Sequence, residues 1–99
     1  MQSKDNKQML AELYDEFLKA ENETEIAEFL QDLCTIKELE SMSQRLKAAK
    51  MLLQGKTYNE IVEETEISSA TLARVSKCVR YGNGGYEHLI KKPKKGEGK

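Results

Sequence analysis

The residues best suited to recognising another molecule lie between positions 68 and 80, on a short predicted helix. This set is Ser68, Ser69, Ala70, Thr71, Arg74, Lys77 and Arg80. Small side chains at a helix front let the backbone approach the floor of the DNA major groove, where alanine or threonine methyls can contact a thymine methyl. Serine and threonine hydroxyls can bond to base edges, and the helix N-terminus attracts phosphate oxygens. The pattern therefore indicates a helix that reads duplex DNA, the alternative being an ordinary solvated helix face.

Two roles can be separated within this set. We predict base contacts from residues at the helix front and its outer side: Ser69, Ala70, Thr71 and Arg74. Contacts to the DNA backbone, which hold the duplex without reading sequence, are predicted from Lys56, Ser68, Lys77 and Arg80. No acidic residue occurs from Ile67 to Tyr86, so nothing within this segment repels a phosphate.

Charge is distributed unevenly along the 99 residues, although the formal net charge is only −1. Residues 1–42 carry 11 acidic and 4 basic side chains, whereas residues 43–80 carry 4 acidic and 7 basic ones. Residues 81–99 add 2 acidic and 5 basic side chains. Such segregation is informative about partners rather than about fold, and it favours a polyanion as the partner of the second half.

Six helices and no strand are predicted from apolar spacing and capping residues. They cover residues near 4–20 and 24–34, a long helix between a cap at Thr35 and Gly55, a short one after Thr57, and segments near 69–80 and 86–90. The sequences "TIKE" and "TYNE" both have the form of a capping box. A single domain over residues 1–91, with a helix-turn-helix near 57–80 and a disordered basic tail at 92–99, is the expected organisation.

The predicted helix-turn-helix requires two short helices held at a steep angle by apolar contacts. The side chains predicted to face inward are Ile61, Val62, Thr65, Leu72, Ala73, Val75 and Val79, with Ile67 filling the corner. Position 66 is glutamate, whereas this motif usually has glycine in the turn. The turn is therefore expected to be non-standard.

The apolar stripes of the first three helices are wide, and they include the large side chains Tyr14, Phe17, Phe29 and Leu30. A chain of this length buries only a modest core by itself. We therefore expect dimerisation through residues 4–53, with a monomeric bundle as the alternative. The acidic N-terminal helices also leave open a protein-interaction module that binds a basic partner.

From Leu33 to about Ile90 the chain resembles the bacterial Trp repressor superfamily, in particular its YerC/YecD-type branch. The residues that carry the resemblance are "TIKELESMSQRLKAAKMLLQGKTYNEIVEETEISSATLARVSKCV" followed by "RYGNGGY". The resemblance implies an intertwined all-α homodimer whose N-terminal helices form a shared core. It also implies a transcriptional repressor that reads a palindromic operator. Residues Asn59, Glu60, Glu63 and Glu64 replace a more basic face in the repressor, so its operator sequence cannot be carried over.

The resemblance also implies a place for an effector. In the Trp repressor, tryptophan is held by one arginine from the central helix and one from the recognition helix, and Arg45 and Arg74 match these positions. Thr35 matches a threonine near the ligand, while Cys78 replaces a polar residue. Val75 stands where the repressor has a glycine, and overfilling a packed site typically costs about 1–3 kcal/mol. We therefore do not expect tryptophan as corepressor. The alternatives for the two arginines are binding of another small anion, ion pairs with nearby glutamates, or contacts to DNA phosphates.

Other classes of function are poorly supported by the sequence. His88 has no cysteine, histidine or aspartate partners at metal-ligand spacing, and "GNGG" lacks the lysine of a phosphate-binding loop. Cys34 and Cys78 fit no ligand or disulfide pattern, and no apolar run is long enough to span a membrane. We expect a cytoplasmic protein without enzymatic activity or cofactor, with duplex DNA and a second copy of itself as partners.

Overall fold

A computed structural model describes residues 3–94, and this part of the chain is entirely helical apart from turns. The helices are α1 (Ser3–Lys19), α2 (Glu23–Leu33), α3 (Ile36–Leu53), α4 (Tyr58–Thr65), α5 (Ser69–Tyr81) and α6 (Gly85–Lys91). All six predicted helices are present, with ends within a few residues of those expected. Residues 95–99 of the predicted basic tail lie outside the described residues.

Both predicted capping boxes are confirmed, which explains where α3 and α4 begin. The Glu38 backbone N–H donates to Thr35 Oγ1 at 3.1 Å, and the Thr35 N–H donates to Glu38 Oε1 at 2.8 Å. Thr57 and Glu60 make the same reciprocal pair, at 3.2 and 2.8 Å. Gly55 takes a φ of 85°, as expected for a residue that follows a helix end.

The described chain divides into two compact units, one ending at Leu39 and the other beginning at Glu40, so that α3 contributes to both. In the first unit the rings of Phe17 and Phe29 pack edge to face with centroids 5.4 Å apart. Few other large apolar side chains of this unit are covered. Tyr14 is 59% exposed, Leu18 is 82% exposed, and α2 contains no buried residue.

The second unit has a core drawn from α3, α4, α5 and the turn between the last two. Its buried members are Ala48, Ala49, Met51, Ile61, Ile67, Leu72 and Val75, and partly buried Leu52, Val79, Tyr86 and Ile90 pack against them. Two consecutive alanines with no exposed surface let the neighbouring helices lie close to α3. Ile67 fills the corner between α4 and α5, as predicted.

Two predicted inward residues are placed differently by the structure. Val62 is 37% exposed and Ala73 is exposed, while Ser76, which was not predicted, is buried. The buried stripe of α5 follows Leu72, Val75, Ser76 and Val79 at helical spacing. Ala73 is one residue beyond Leu72, about 100° around the helix, and therefore lies outside that stripe.

Candidate nucleic-acid interface

The beginning of α5 is fixed by a sharply turned segment with several hydrogen bonds. Glu66 adopts a left-handed conformation with φ of 62°, and its N–H donates to Val62 O at 2.8 Å. Ser68 caps α5: its Oγ accepts from the Thr71 N–H at 3.1 Å and its hydroxyl donates to Thr71 Oγ1 at 2.9 Å. The front of α5 is thus set at a defined angle to α4.

The exposed side of α5 is a continuous stripe of small and cationic residues ending in an aromatic one. It comprises Ala70, Ala73, Arg74, Lys77 and Tyr81, all exposed and spaced three or four residues apart. Ser69 and Arg80 are exposed along one side of it. The predicted residues Ser69, Ala70, Arg74, Lys77 and Arg80 therefore share one accessible surface.

Sequence reasoning missed two members of this stripe. The sequence predicts Ala73 to face inward and the helix to end near residue 80, whereas Tyr81 is the last residue of α5 and is 79% exposed. The helical spacing of Leu72, Val75 and Val79 was the available signal, because it fixes the opposite side of the same helix. With Ala73 included, the front of the stripe carries two small side chains, Ala70 and Ala73, about one helical turn apart.

Thr71 differs from the other predicted base-reading residues. It is half-buried, its backbone N–H bonds to Ser68 Oγ, and its hydroxyl accepts from the Ser68 hydroxyl. Ser68 is exposed but likewise occupied as the cap. Both side chains therefore stabilise the helix front, and any contact they make with a ligand would have to preserve this pair.

Lys56 lies in an acidic setting. Together with Met51 and three glutamates of α4, Glu60, Glu63 and Glu64, it lines an open depression of about 420 Å³. Hydrogen bonds from Thr57, the backbone N–H first, hold the pKa of the Glu60 carboxyl below its ordinary value, so this group is firmly ionised near neutral pH. Lys56 is consequently a weaker candidate for phosphate contact than the cations of α5.

Lys47 on α3 also faces α4, where its Nζ lies 4.0 Å from Glu64 Oε2 with both side chains more than half exposed. A pair this long and this exposed contributes little to stability. It does offset one of the acidic charges of α4. The electrostatic contrast is therefore between an acidic α4 and an α5 without acids.

The residues matched to an effector site differ in their surroundings. Arg45 is half-buried and its Nε makes a long 3.4 Å hydrogen bond to Ser41 O of its own helix. Arg74 is exposed, and within residues 3–94 neither arginine lies within ion-pair distance of a carboxylate. Val75 is 2% exposed, with its methyls packed in the core. Thr35 belongs to the first unit.

Cys78, by contrast, lines an open and mainly apolar groove of about 500 Å³ between α3, α5 and α6. The other lining residues are Leu46, Gly82, Asn83, Gly85, Tyr86, Leu89 and Ile90. Gly82 is required here, because a Cβ at this position would lie 2.5 Å from Cys78 O. None of the other residues matched to the effector site lines this groove.

The described part of the chain has neither a metal-site cluster nor a membrane-spanning helix. No group of three or more histidine, cysteine, aspartate or glutamate side chains within it is placed to hold a metal ion. None of its helices combines the length and the apolar character needed to cross a membrane.

These observations define a class: an all-helical protein in which a long helix supports two short helices joined by a tight turn, the second of which exposes a cationic stripe. The chain belongs to the Trp repressor family, since the family profile described as Trp repressor protein matches residues 8–94. This is a family of regulatory, non-enzymatic proteins with a Trp-repressor-like all-α fold.

Individual relatives agree with this assignment. The chain is 42% identical over 88 residues to the uncharacterized protein YerC of Bacillus subtilis (strain 168), covering 89% of this chain and 85% of that one. It is similar to the crystal structure of a putative Trp repressor from Staphylococcus aureus, with a TM-score of 0.81, 43% identity and coverage of 84% and 83%. It is also similar to a TrpR like protein from Eubacterium eligens ATCC 27750, with a TM-score of 0.81, 40% identity and coverage of 84% and 86%.

Proposed function

We propose that this protein is a homodimeric, cytoplasmic transcription regulator, acting as a repressor, that reads a palindromic operator with α5 as its recognition helix. The observation that carries the proposal is the exposed stripe of α5, which is small at the front, cationic behind and without acids. Membership of a regulatory family supports it. Neither the cationic stripe of α5 nor membership of a regulatory family is expected of a module that only binds basic proteins.

The dimensions of α5 suit a helix that enters the major groove by its front. From Ala70 to Lys77 is seven residues, about 10 Å along the axis, and the groove is about 8.5 Å deep. With Ala70 and Ala73 near the base edges, Lys77 reaches the level of the phosphates at the groove rim. We therefore assign base reading to Ser69, Ala70 and Ala73, and phosphate contact to Lys77 and Arg80, with Arg74 able to reach either.

The apolar side chains that the first unit leaves exposed to solvent support dimerisation. Exposed apolar side chains of this unit occur on α1, α2 and the start of α3; they include Met9, Leu10, Tyr14, Leu18, Ile26, Leu33 and Ile36. No side chain among residues 6–39 is fully buried, so this unit gains little stability from apolar burial by itself. A second copy covering these residues would bring two recognition helices into one assembly, and a palindromic operator has two half-sites to be read.

Tryptophan is not proposed as an effector. The enclosed position of Val75 supports this, because its methyls already fill space in the core that a glycine would leave open. No other effector is assigned.

The proposal is tested by selecting bound genomic fragments with purified protein near physiological salt, with an Ala70→Glu variant alongside. Ala70 is exposed in the first turn of α5, where an acidic residue suits the helix dipole. The variant should therefore fold while presenting a carboxylate to the DNA. Glu12→Lys, at an exposed position of α1, serves as the control for a surface charge change.

We expect the wild type and the control to enrich a shared palindrome whose half-sites lie about one helical turn, roughly 34 Å, apart. Ala70→Glu should lose that enrichment with its melting temperature unchanged. If wild type and Ala70→Glu recover the same unsorted fragments, α5 does not read DNA. The interaction-module alternative, with α1 and α2 as its binding surface, would then account better for the charge distribution.

A further inference from the structure

The turn before α5 is held from outside by a side chain of α3 that the proposed function does not use. Gln44 Nε2 donates to Thr65 O at 3.0 Å, in a partly buried position, across 21 residues of sequence. Thr65 is the last residue of α4. The final carbonyls of a helix have no partner within that helix, so Gln44 satisfies a group that would otherwise need water or another donor.

Thr65 connects this bond to the rest of the turn. Its hydroxyl donates to Ile61 O at 2.8 Å, and its Oγ1 accepts from the Ile67 N–H at 3.2 Å. Glu66 between them is left-handed, Ile67 is buried, and the cap of α5 follows at Ser68. Thr65 lies only three positions before the cap of α5, so a displacement of the Thr65 carbonyl would also move the front of α5.

The apolar contacts of the same region differ in kind from the Gln44 bond. Gln44 lies one turn before Ala48, about 6 Å along the axis of α3, on the side of the helix that reaches the core. Apolar packing is non-directional, whereas a hydrogen bond requires a narrow range of distance and angle. Buried Ala48 and Ala49 therefore hold α3 in the core through non-directional contacts, whereas the Gln44 bond adds a directional link between α3 and the end of α4.

We infer that Gln44 is a positioning residue that sets the orientation of the recognition helix relative to α3, a role that rests on the proposed function. It does not touch DNA. It keeps Ser69, Ala70 and Ala73 at the angle at which they meet base edges. Its loss should reduce discrimination between sequences rather than the attraction to phosphates.

The experiment compares Gln44→Met, which keeps the length but removes the donor, with Gln44→Lys, which keeps a donor. Gln54→Met, at an exposed glutamine just after α3, is the matched control. Amide hydrogen exchange is measured first, without DNA. Gln44→Met should speed exchange of the Ile67 and Thr71 amides about three- to tenfold, the range expected from the modest net contribution of one hydrogen bond. The His88 amide on α6 should not change, and Gln44→Lys should restore the wild-type rates.

The second readout uses the operator selected by the wild type. Gln44→Met should lower the ratio of specific to non-specific affinity about three- to tenfold, with an unchanged dependence of binding on salt. Exchange that rises evenly over the chain, or not at all, would overturn the positioning role, as would an equal loss of both affinities. If the wild type selects no operator, the proposed function fails, while the exchange comparison still decides whether Gln44 orients α5.

Discussion

At the scale of single residues, the exposed side chains of α5 and the turn before it divide into those that meet a partner and those that hold the helix. Lys77 belongs to the first kind, because it is exposed and makes no ion pair within residues 3–94. Thr71 and Ser68 belong at least in part to the second. Glu66 is of interest because it is the one described non-glycine residue with a positive φ.

Replacing Lys77 with alanine should weaken binding by a similar factor on specific and non-specific DNA. A phosphate contact carries no sequence information, and each one lost reduces the slope of log affinity against log salt by about 1. Fluorescence anisotropy across a salt series measures this slope. Lys37→Ala, at an exposed lysine of α3, should leave it unchanged, and a changed sequence preference in Lys77→Ala would assign this lysine to base reading instead.

Replacing Glu66 with glycine should stabilise the protein by about 0.5–1 kcal/mol. A left-handed conformation costs a residue with a side chain roughly 1–2 kcal/mol, and part of this gain is lost because glycine is more flexible when unfolded. Urea denaturation measures the change. Glu63→Gly, in the body of α4, provides the opposite comparison, since glycine inside a helix costs about 1 kcal/mol. Equal destabilisation of both variants would show that the Glu66 side chain has a stabilising role of its own.

Replacing Val75 with glycine should destabilise the protein by about 2–4 kcal/mol, through lost apolar burial and the low helix propensity of glycine. Tryptophan should not raise the melting temperature of the wild type. A tryptophan-dependent rise in the glycine variant alone would show that the valine methyls exclude the indole. A rise in the wild type would contradict the proposal that tryptophan is not an effector.

At the scale of elements, α4 differs from α5 in both charge and capping. Its first turn depends on the reciprocal bonds between Thr57 and Glu60, and the Thr57 N–H is the main cause of the lowered pKa of Glu60. A lowered folded-state pKa means that the carboxylate contributes stability above its ordinary value of 4.5, and that this contribution disappears as pH falls through the folded value.

Stability of the wild type should therefore fall with acidification below about pH 5 in part because of Glu60. The Glu60→Ala variant lacks this titration, so the difference in denaturation midpoint between the two proteins should shrink as the pH is lowered from 6 to 3. Glu63→Ala, a neighbouring glutamate with no capping bond among the described contacts, should show no such convergence. A difference that stays constant with pH would mean that the cap does not depend on the charge of Glu60.

At the scale of the whole molecule, the two units differ in how completely they bury their apolar side chains. The second has a core of fully buried side chains, whereas no side chain among residues 6–39 of the first is fully buried. A lone unit of the first kind is marginal by burial alone. The proposed dimer would supply the missing burial.

Replacing Leu18 with glutamate should shift the protein from dimer to monomer, as measured by sedimentation over a concentration series. Leu18 is 82% exposed in the single chain, so the substitution should cost little unless a second copy covers it. The Glu12→Lys variant should remain dimeric. A Leu18→Glu protein that sediments like the wild type would place the dimer contact elsewhere, or show that the wild type is a monomer.

Much of the fold could be predicted from the sequence because its signals are local. The capping boxes at Thr35 and Thr57 and the role of Gly55 each depend on residues within three or four positions, and all are confirmed. Ile67 was also placed correctly, since an apolar residue between two helices has few alternatives to the corner. The assignments of Val62 and Ala73 were wrong because apolar type alone does not decide which side of a helix is covered.

The sequence by itself determined the helices, their caps and the concentration of cationic and small residues on α5, because helix periodicity and capping act over a single turn. Only the tertiary structure decided which of those residues lie on one exposed stripe and that Lys56 lies among glutamates. It alone placed Gln44 beside Thr65, 21 residues away. Contacts of this kind depend on how helices pack against one another, and no spacing within a single helix encodes them.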